Sequence, residues 1–211
     1  MNYLKHHRSA KNFALVGHST GCQNSVHFMK YGNEELIKQI KIIGLQAPVS
    51  DREDAMSGPN YKQNIEHAKA LQDQGKEEEM MPRSAFWAPI TAARFLSLQE
   101  VGGEDDFFSS DYTDEEMSIR LQHVGQRGSS NGLKVLVCFS GEDEYVPASI
   151  DKKDLMKRLC SAMNGNHEED KEEKVAIPCF IEEGNHNLSE SDGDKDRFVD
   201  ELGELLSGVS D

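Results

Sequence analysis

The chain has 211 residues, with 38 Asp or Glu against 23 Lys or Arg, a formal net charge of −15. So acidic a chain is repelled by phosphate backbones and anionic lipid unless its cations cluster; they do not, which excludes nucleic acid as a partner. At 36% hydrophobic and 29% charged residues, the chain can bury one core of ordinary size, so a single domain carrying an insertion is expected rather than wholesale disorder.

In chain order, Phe13-Ala-Leu-Val16 reads as a first strand and Thr20 to about Tyr31 as a helix, with Val26 and Met29 at helical spacing and Gly32 as its stop. Ile40 to Leu45 reads as a second strand, Val135 to Phe139 as a third and Val175 to Ile181 as a fourth, each almost continuously apolar, as strands of a parallel sheet covered on both faces should be. Helical stripes follow the third and fourth, through Leu155, Met156 and Leu159, and through Phe198, Val199, Leu202 and Leu205. Strand and helix alternating in this way predict an open parallel α/β sheet.

Residues 51–132 interrupt the rhythm and are too long for a connector. They read as a helical cap inserted into a single 1–211 domain. Helices are predicted from Pro59 to Gln74 and from Pro89 to Leu98, and Thr113-Asp-Glu-Glu116 is a capping box opening another. Between Asp51 and Arg127 lie 8 basic and 16 acidic residues, about half of the net charge. Met80, Met81, Phe86, Trp87 and Phe95 in this stretch either face a pocket as a lid or pack the insertion onto the sheet. The acidic runs Glu77–Glu79 and Glu168–Glu173 read as solvated segments.

The chemistry is concentrated where strands end. The first strand runs into Gly17-His18-Ser19-Thr20-Gly21 and then into a helix, the G-x-S-x-G pattern in the strand-to-turn-to-helix context that gives it meaning. A serine in so sharp a turn takes strained backbone angles. Gly17 and Gly21 are expected to leave room for packing across the turn, and the Thr20 N–H at the helix start points to where an oxyanion would form. The third strand is followed by Gly141-Glu-Asp143-Glu-Tyr-Val-Pro147 and the fourth by Glu183-Gly-Asn-His186. Serine, aspartate and histidine on loops after successive parallel strands stand in the chain order of the α/β-hydrolase triad. In that chemistry His186 takes the Ser19 proton and Asp143 fixes the imidazole, with an acyl-enzyme that water resolves. Asp51, after the second strand, is a second candidate acid, and His18 either lines the pocket or packs behind the turn. The remaining histidines lack metal-ligand spacing, and the mechanism calls for no metal or cofactor.

Cys22, Cys138, Cys160 and Cys179 are widely spaced, with no CxxC pair, and read as reduced, buried thiols. No apolar run reaches the roughly 20 residues of a membrane span, and Met1 to Asn12 is polar. The expectation is therefore a chain without leader or membrane span, cytoplasmic by default.

Gly17-His-Ser-Thr-Gly-Cys-Gln23, the Gly141–Pro147 loop and Glu183–His186 resemble a family of α/β-hydrolase-fold proteins of fungi and plants, long known only as a domain of unknown function. It includes serine esterases that cleave hydroxamate siderophore esters. The resemblance covers most of the chain. It implies an α/β-hydrolase fold, a Ser19–His186–Asp143 triad and a small-molecule ester substrate. It also implies strands before the nucleophile strand and a second oxyanion donor on a loop among them, which the resemblance places ahead of Met1. An N-terminally truncated hydrolase is thus expected, with the Phe13–Val16 strand at an exposed edge. The rival expectation is a catalytically impaired, hydrolase-like chain with a binding role or none.

Overall fold

The computed structural model describes residues 1–165 and 174–209; His167 and the Glu168–Glu173 run lie outside them. Four parallel strands form one sheet in sequential order: β1 (Phe13–His18), β2 (Ile40–Gln46), β3 (Lys134–Ser140) and β4 (Ala176–Ile181). All four predicted strands are present. Three of them run past their apolar stretches into polar residues, to His18, Gln46 and Ser140, which place the loops that follow.

Burial separates the inner strands from the edges. Every residue of β2 except Lys41 and every residue of β3 except Lys134 is buried. β1 alternates instead, and Val16 is 57% exposed. Pro178, which has no N–H for a sheet ladder, is tolerated because β4 is the opposite edge.

The crossovers are helical. Helix α1 (Asn2–Arg8) precedes β1; α2 (Thr20–Tyr31) and the single turn α3 (Glu34–Ile37) lead to β2; α8 (Lys152–Asn164) joins β3 to β4; α9 (Asp192–Ser207) follows. One face of the sheet, through Ile43, Leu45, Val135, Val137 and Phe139, packs into a core with Val26, Met29, Leu155 and Leu159. The other, through Leu136 and Cys138, receives Phe198, Leu202 and Leu205 of α9. Gly44 of β2 admits α9, since a β-carbon there would stand 3.2 Å from Leu202 Cδ1. Gly32 ends α2 with φ −68°, so its left-handed freedom is unused; a β-carbon would meet the Phe28 carbonyl at 2.4 Å.

The 51–132 stretch holds α4 (Asp51–Met56), α5 (Tyr61–Asp73), α6 (Ala92–Gln99) and α7 (Asp114–Gly128). Two predicted helix starts move. Pro59 precedes the Asn60 cap of α5, and α6 begins after Thr91, whose hydroxyl accepts the Arg94 N–H, leaving Pro89 outside. The Thr113–Glu116 capping box forms as read.

Packing divides the stretch in two. Ala68, Leu71, Met81, Ile90, Phe95 and Leu96 make a separate cluster, whereas Phe107, Phe108, Met117, Leu121 and Val124 join the main core. Beneath α4 the fully buried Arg52 guanidinium pairs with Asp106 at 2.6 Å and with Asp111, so its charge is compensated.

Candidate active site

Ser19 sits between β1 and α2 with φ 53° and ψ −128°, a conformation that costs a non-glycine residue about 1–3 kcal/mol unless its surroundings enforce it. Two backbone bonds do so: the Ser19 N–H donates to the Gln46 carbonyl at 3.1 Å, and the Ser19 carbonyl accepts the Cys22 N–H at 2.8 Å. The flanking glycines differ from expectation. A β-carbon on Gly17 would stand 2.4 Å from the Gly21 carbonyl oxygen, so Gly17 is sterically required, whereas one on Gly21 would meet nothing within 4 Å. It is the backbone of Gly21 for which Gly17 makes room. Cys22 is fully buried, and burial pushes its thiol up, so it is a packing residue.

Asp143 and His186 meet across the β3 and β4 loops. His186 Nδ1 lies 3.1 and 3.0 Å from the two Asp143 carboxylate oxygens, with the residues 4% and 1% exposed. One Asp143 oxygen also accepts the Tyr145 N–H at 3.0 Å. Gly141 lets the loops approach, for a β-carbon there would be 2.0 Å from the Glu182 carbonyl oxygen.

The backbone of His186 is held from several sides. Its N–H donates to Glu144 at 3.0 Å, and its carbonyl accepts from Gln46 Nε2 at 3.0 Å and from His18 Nε2 at 3.3 Å. The rings of His18 and Tyr145 stand 4.9 and 4.5 Å from the imidazole. Sequence reading missed Gln46 and Glu144. Gln46 did carry a signal, as a polar side chain closing an otherwise apolar strand.

Ser19 and His186 share the wall of a cleft of about 1080 Å³. No hydrogen bond joins the Ser19 hydroxyl to the imidazole among the described residues; in unliganded sites such bonds are commonly long. His18 lines this cleft, which resolves its two readings. Phe86 and Trp87 line it as well, their rings 5.6 Å apart, while Met81 and Phe95 are buried in the separate cluster of α5 and α6. Phe86 also packs against that cluster, and Met80, 52% exposed, belongs to neither the cleft nor the cluster.

Asp51 also lines the cleft but does not bond to His186. Its carboxylate accepts the Thr20 hydroxyl at 3.0 Å and Gln23 Nε2 at 2.7 Å. Burial pushes this carboxyl up to about 6, against the lowering effect of the Thr20 bond and of nearby Arg94 and His186. No group of three or more His, Cys, Asp or Glu side chains among the described residues could hold a metal ion, and no helix among them is long and apolar enough to cross a membrane.

The family model described as "Protein of unknown function (DUF1749)" matches residues 1–207. The chain belongs to the DUF1749 family. Among relatives, this DUF1749 chain is 33% identical over 162 residues to "UPF0613 protein PB24D3.06c" of Schizosaccharomyces pombe, covering 72% of this chain and 50% of that one. It is 29% identical over 216 residues to "Fusarinine C esterase sidJ" of Aspergillus fumigatus, covering 80% and 61%. The DUF1749 chain thus spans half to three-fifths of the length of these curated relatives.

Of solved structures, "Siderophore hydrolase EstB from Aspergillus fumigatus" aligns with a TM-score of 0.70 and 26% identity, over 98% of this chain and 71% of that one. An "Alpha/Beta hydrolase fold protein of unknown function" aligns at TM-score 0.51 and 16% identity, over 99% and 69%, a likeness of fold alone. The DUF1749 chain has an α/β-hydrolase fold.

Proposed function

We propose that this chain is a serine hydrolase that cleaves a carboxylic ester, with Ser19 as nucleophile, His186 as general base and then acid, and Asp143 as the group that orients the imidazole. One observation carries the reading: a serine held in a strained turn shares a cleft with a histidine whose far nitrogen is bonded to a buried carboxylate. With Nδ1–H donated to Asp143, Nε2 is free to take the Ser19 proton as Oγ attacks the acyl carbon. The tetrahedral oxyanion meets the N–H of Thr20, which has no acceptor within its own helix because it opens α2. Collapse expels the alcohol, protonated by His186, and water repeats the cycle on the acyl-enzyme. The names of the esterase and siderophore-hydrolase relatives support the ester as the bond cleaved.

The cleft suggests the kind of ester. Asn24, Asn60, Asn64 and Ser57 contribute polar, uncharged lining, and Asp51 and Asp54 are the only Asp, Glu, Lys or Arg among its described lining residues. A neutral or cationic polar ester suits this surface better than an anionic one.

The test is covalent labelling of the folded chain by a fluorophosphonate probe beside Ser19→Ala, followed by hydrolysis of a neutral short-chain ester. Labelling and turnover that both vanish in Ser19→Ala support the reading. A well-folded chain that neither labels nor hydrolyses supports the rival, a hydrolase-like chain without independent activity. The exposed edge at β1 is the observation that keeps that rival in view.

A further inference from the structure

We infer that Asp51 is a positioning residue for acyl transfer: it clamps the first turn of α2, and with it the Thr20 N–H, against the loop that follows β2. This rests on the serine-hydrolase reading and deepens it.

The Asp51 carboxylate is free for the task because the start of α4 is capped by its neighbour, Ser50, whose hydroxyl accepts the Glu53 N–H at 3.0 Å. Its two oxygens divide between two residues of α2. Oδ1 accepts the Thr20 hydroxyl and Oδ2 accepts Gln23 Nε2. Gln23 Nε2 also donates to the Val49 carbonyl at 2.8 Å, so the same loop is gripped twice.

The amide of Gln23 is turned wholly toward these acceptors. Its own Oε1 is buried with no hydrogen-bond partner among the described residues, so the bonds that hold this amide in place are those of its Nε2 to Asp51 and Val49. Thr20 follows Ser19 directly, so a rotation of the first turn moves the strained serine and the adjacent N–H together. Helix starts fray unless side chains hold them, and a donor displaced by about 1 Å costs on the order of a hundredfold in rate.

The electrostatic cost of the arrangement points the same way. Burial raises the Asp51 carboxyl, Asp54 raises it further, and the Thr20 bond, Arg94 and His186 offset this in part. The proton relay itself does not use this carboxylate, because His186 is bonded to Asp143.

The experiment measures kcat and KM for 4-nitrophenyl acetate in the native chain and in Asp51→Ala, Asp51→Asn, Thr20→Val and the Asp51→Ala/Thr20→Val double variant, each checked for folding by circular dichroism. Asp51→Ala is expected to lower kcat about 10- to 100-fold with KM nearly unchanged. Asp51→Asn can accept from Gln23 while donating to the Thr20 hydroxyl, and is expected to recover most of kcat. Thr20→Val keeps the N–H but loses the clamped hydroxyl; it should resemble Asp51→Ala, with the double variant no worse than either single one.

Three results overturn the inference: a folded Asp51→Ala with native kcat, losses that simply add in the double variant, or an Asp51→Asn as impaired as Asp51→Ala. Should Asp51→Ala fail to fold, a folded Thr20→Val with native kcat overturns it as well. A native chain that neither hydrolyses the ester nor labels at Ser19 is a different failure, of the hydrolase reading itself, and takes the clamp with it.

Discussion

At Gly17 a β-carbon would stand 2.4 Å from a backbone oxygen, whereas at Gly21 it would meet open space. These two positions, symmetrical in the motif, should therefore respond oppositely. Gly17→Ala forces the turn apart and should leave little folded protein. Gly21→Ala removes a flexible residue from the first turn of α2 and should raise stability by about 0.5–1 kcal/mol, read from urea denaturation; comparable losses in both would refute the distinction. Asp51 gives a pH-dependent contrast. Its carboxyl is raised from 3.8 to about 6 in the folded chain, so the folded state keeps a proton that the unfolded state has already lost. The stabilisation from that proton is full below about 3.8 and is lost as pH rises through about 6, by up to about 3 kcal/mol. Asp51→Asn should accordingly gain more stability over the native chain at pH 7.5 than at pH 4, and an equal gain at both would show that the carboxyl does not titrate in this range. The proposed nucleophile, base and acid were legible at this scale because each lies just past an apolar run, in a motif that chemistry constrains. The second carboxylate was visible too, but its partner was not: nothing in sequence separates a carboxylate that meets histidine from one that meets threonine and glutamine.

Among elements, the crossing of α7 and α8 is unusually close. A β-carbon on Gly125 would stand 2.1 Å from the Met163 carbonyl oxygen, so the two helices approach backbone to backbone at that point. Gly125→Ala should separate them at a cost of about 1–3 kcal/mol and lower Tm by about 2–10 °C; an unchanged Tm would mean that the crossing can slide. The capping box of α7 was legible because its two partners are three residues apart, and the interaction is local. The starts of α5 and α6 were misplaced because proline marks only a permitted neighbourhood, while the cap that fixes each boundary is Asn60 or Thr91. Helix α4 went unread altogether: its six residues, Asp51 to Met56, carry no apolar stripe, and its place is set by the buried pairing of Arg52 with Asp106 and Asp111. The strands were found by their apolar runs, and β4 ends at Ile181 as read, but the carboxyl ends of the other three were not, since His18, Gln46 and Ser140 are polar residues beyond the apolar pattern.

For the molecule as a whole, charge and shape act together. In a chain of net charge −15, the described residues lining the cleft include Asp51 and Asp54 but no Glu, Lys or Arg. Within a set of esters matched in size, kcat/KM should fall in the order cationic, neutral, anionic, with the spread narrowing as salt is added. An anionic ester turned over fastest would refute this. Sequence placed the whole 51–132 stretch in one insertion, yet its second half, with Phe107, Phe108, Met117, Leu121 and Val124, belongs to the main core; hydrophobicity alone does not say which partner an apolar helix will find. The parts of the site are joined by contacts between residues 140 and 168 positions apart, Gln46 and His18 each meeting His186. Contacts of such sequence separation form late, after the helices and local turns are in place. The proposed esterase activity would thus depend on the whole topology: during refolding it should return as the last observable, well behind helical structure followed by circular dichroism, and a single cut between β3 and β4 should extinguish it while leaving most of the local structure standing.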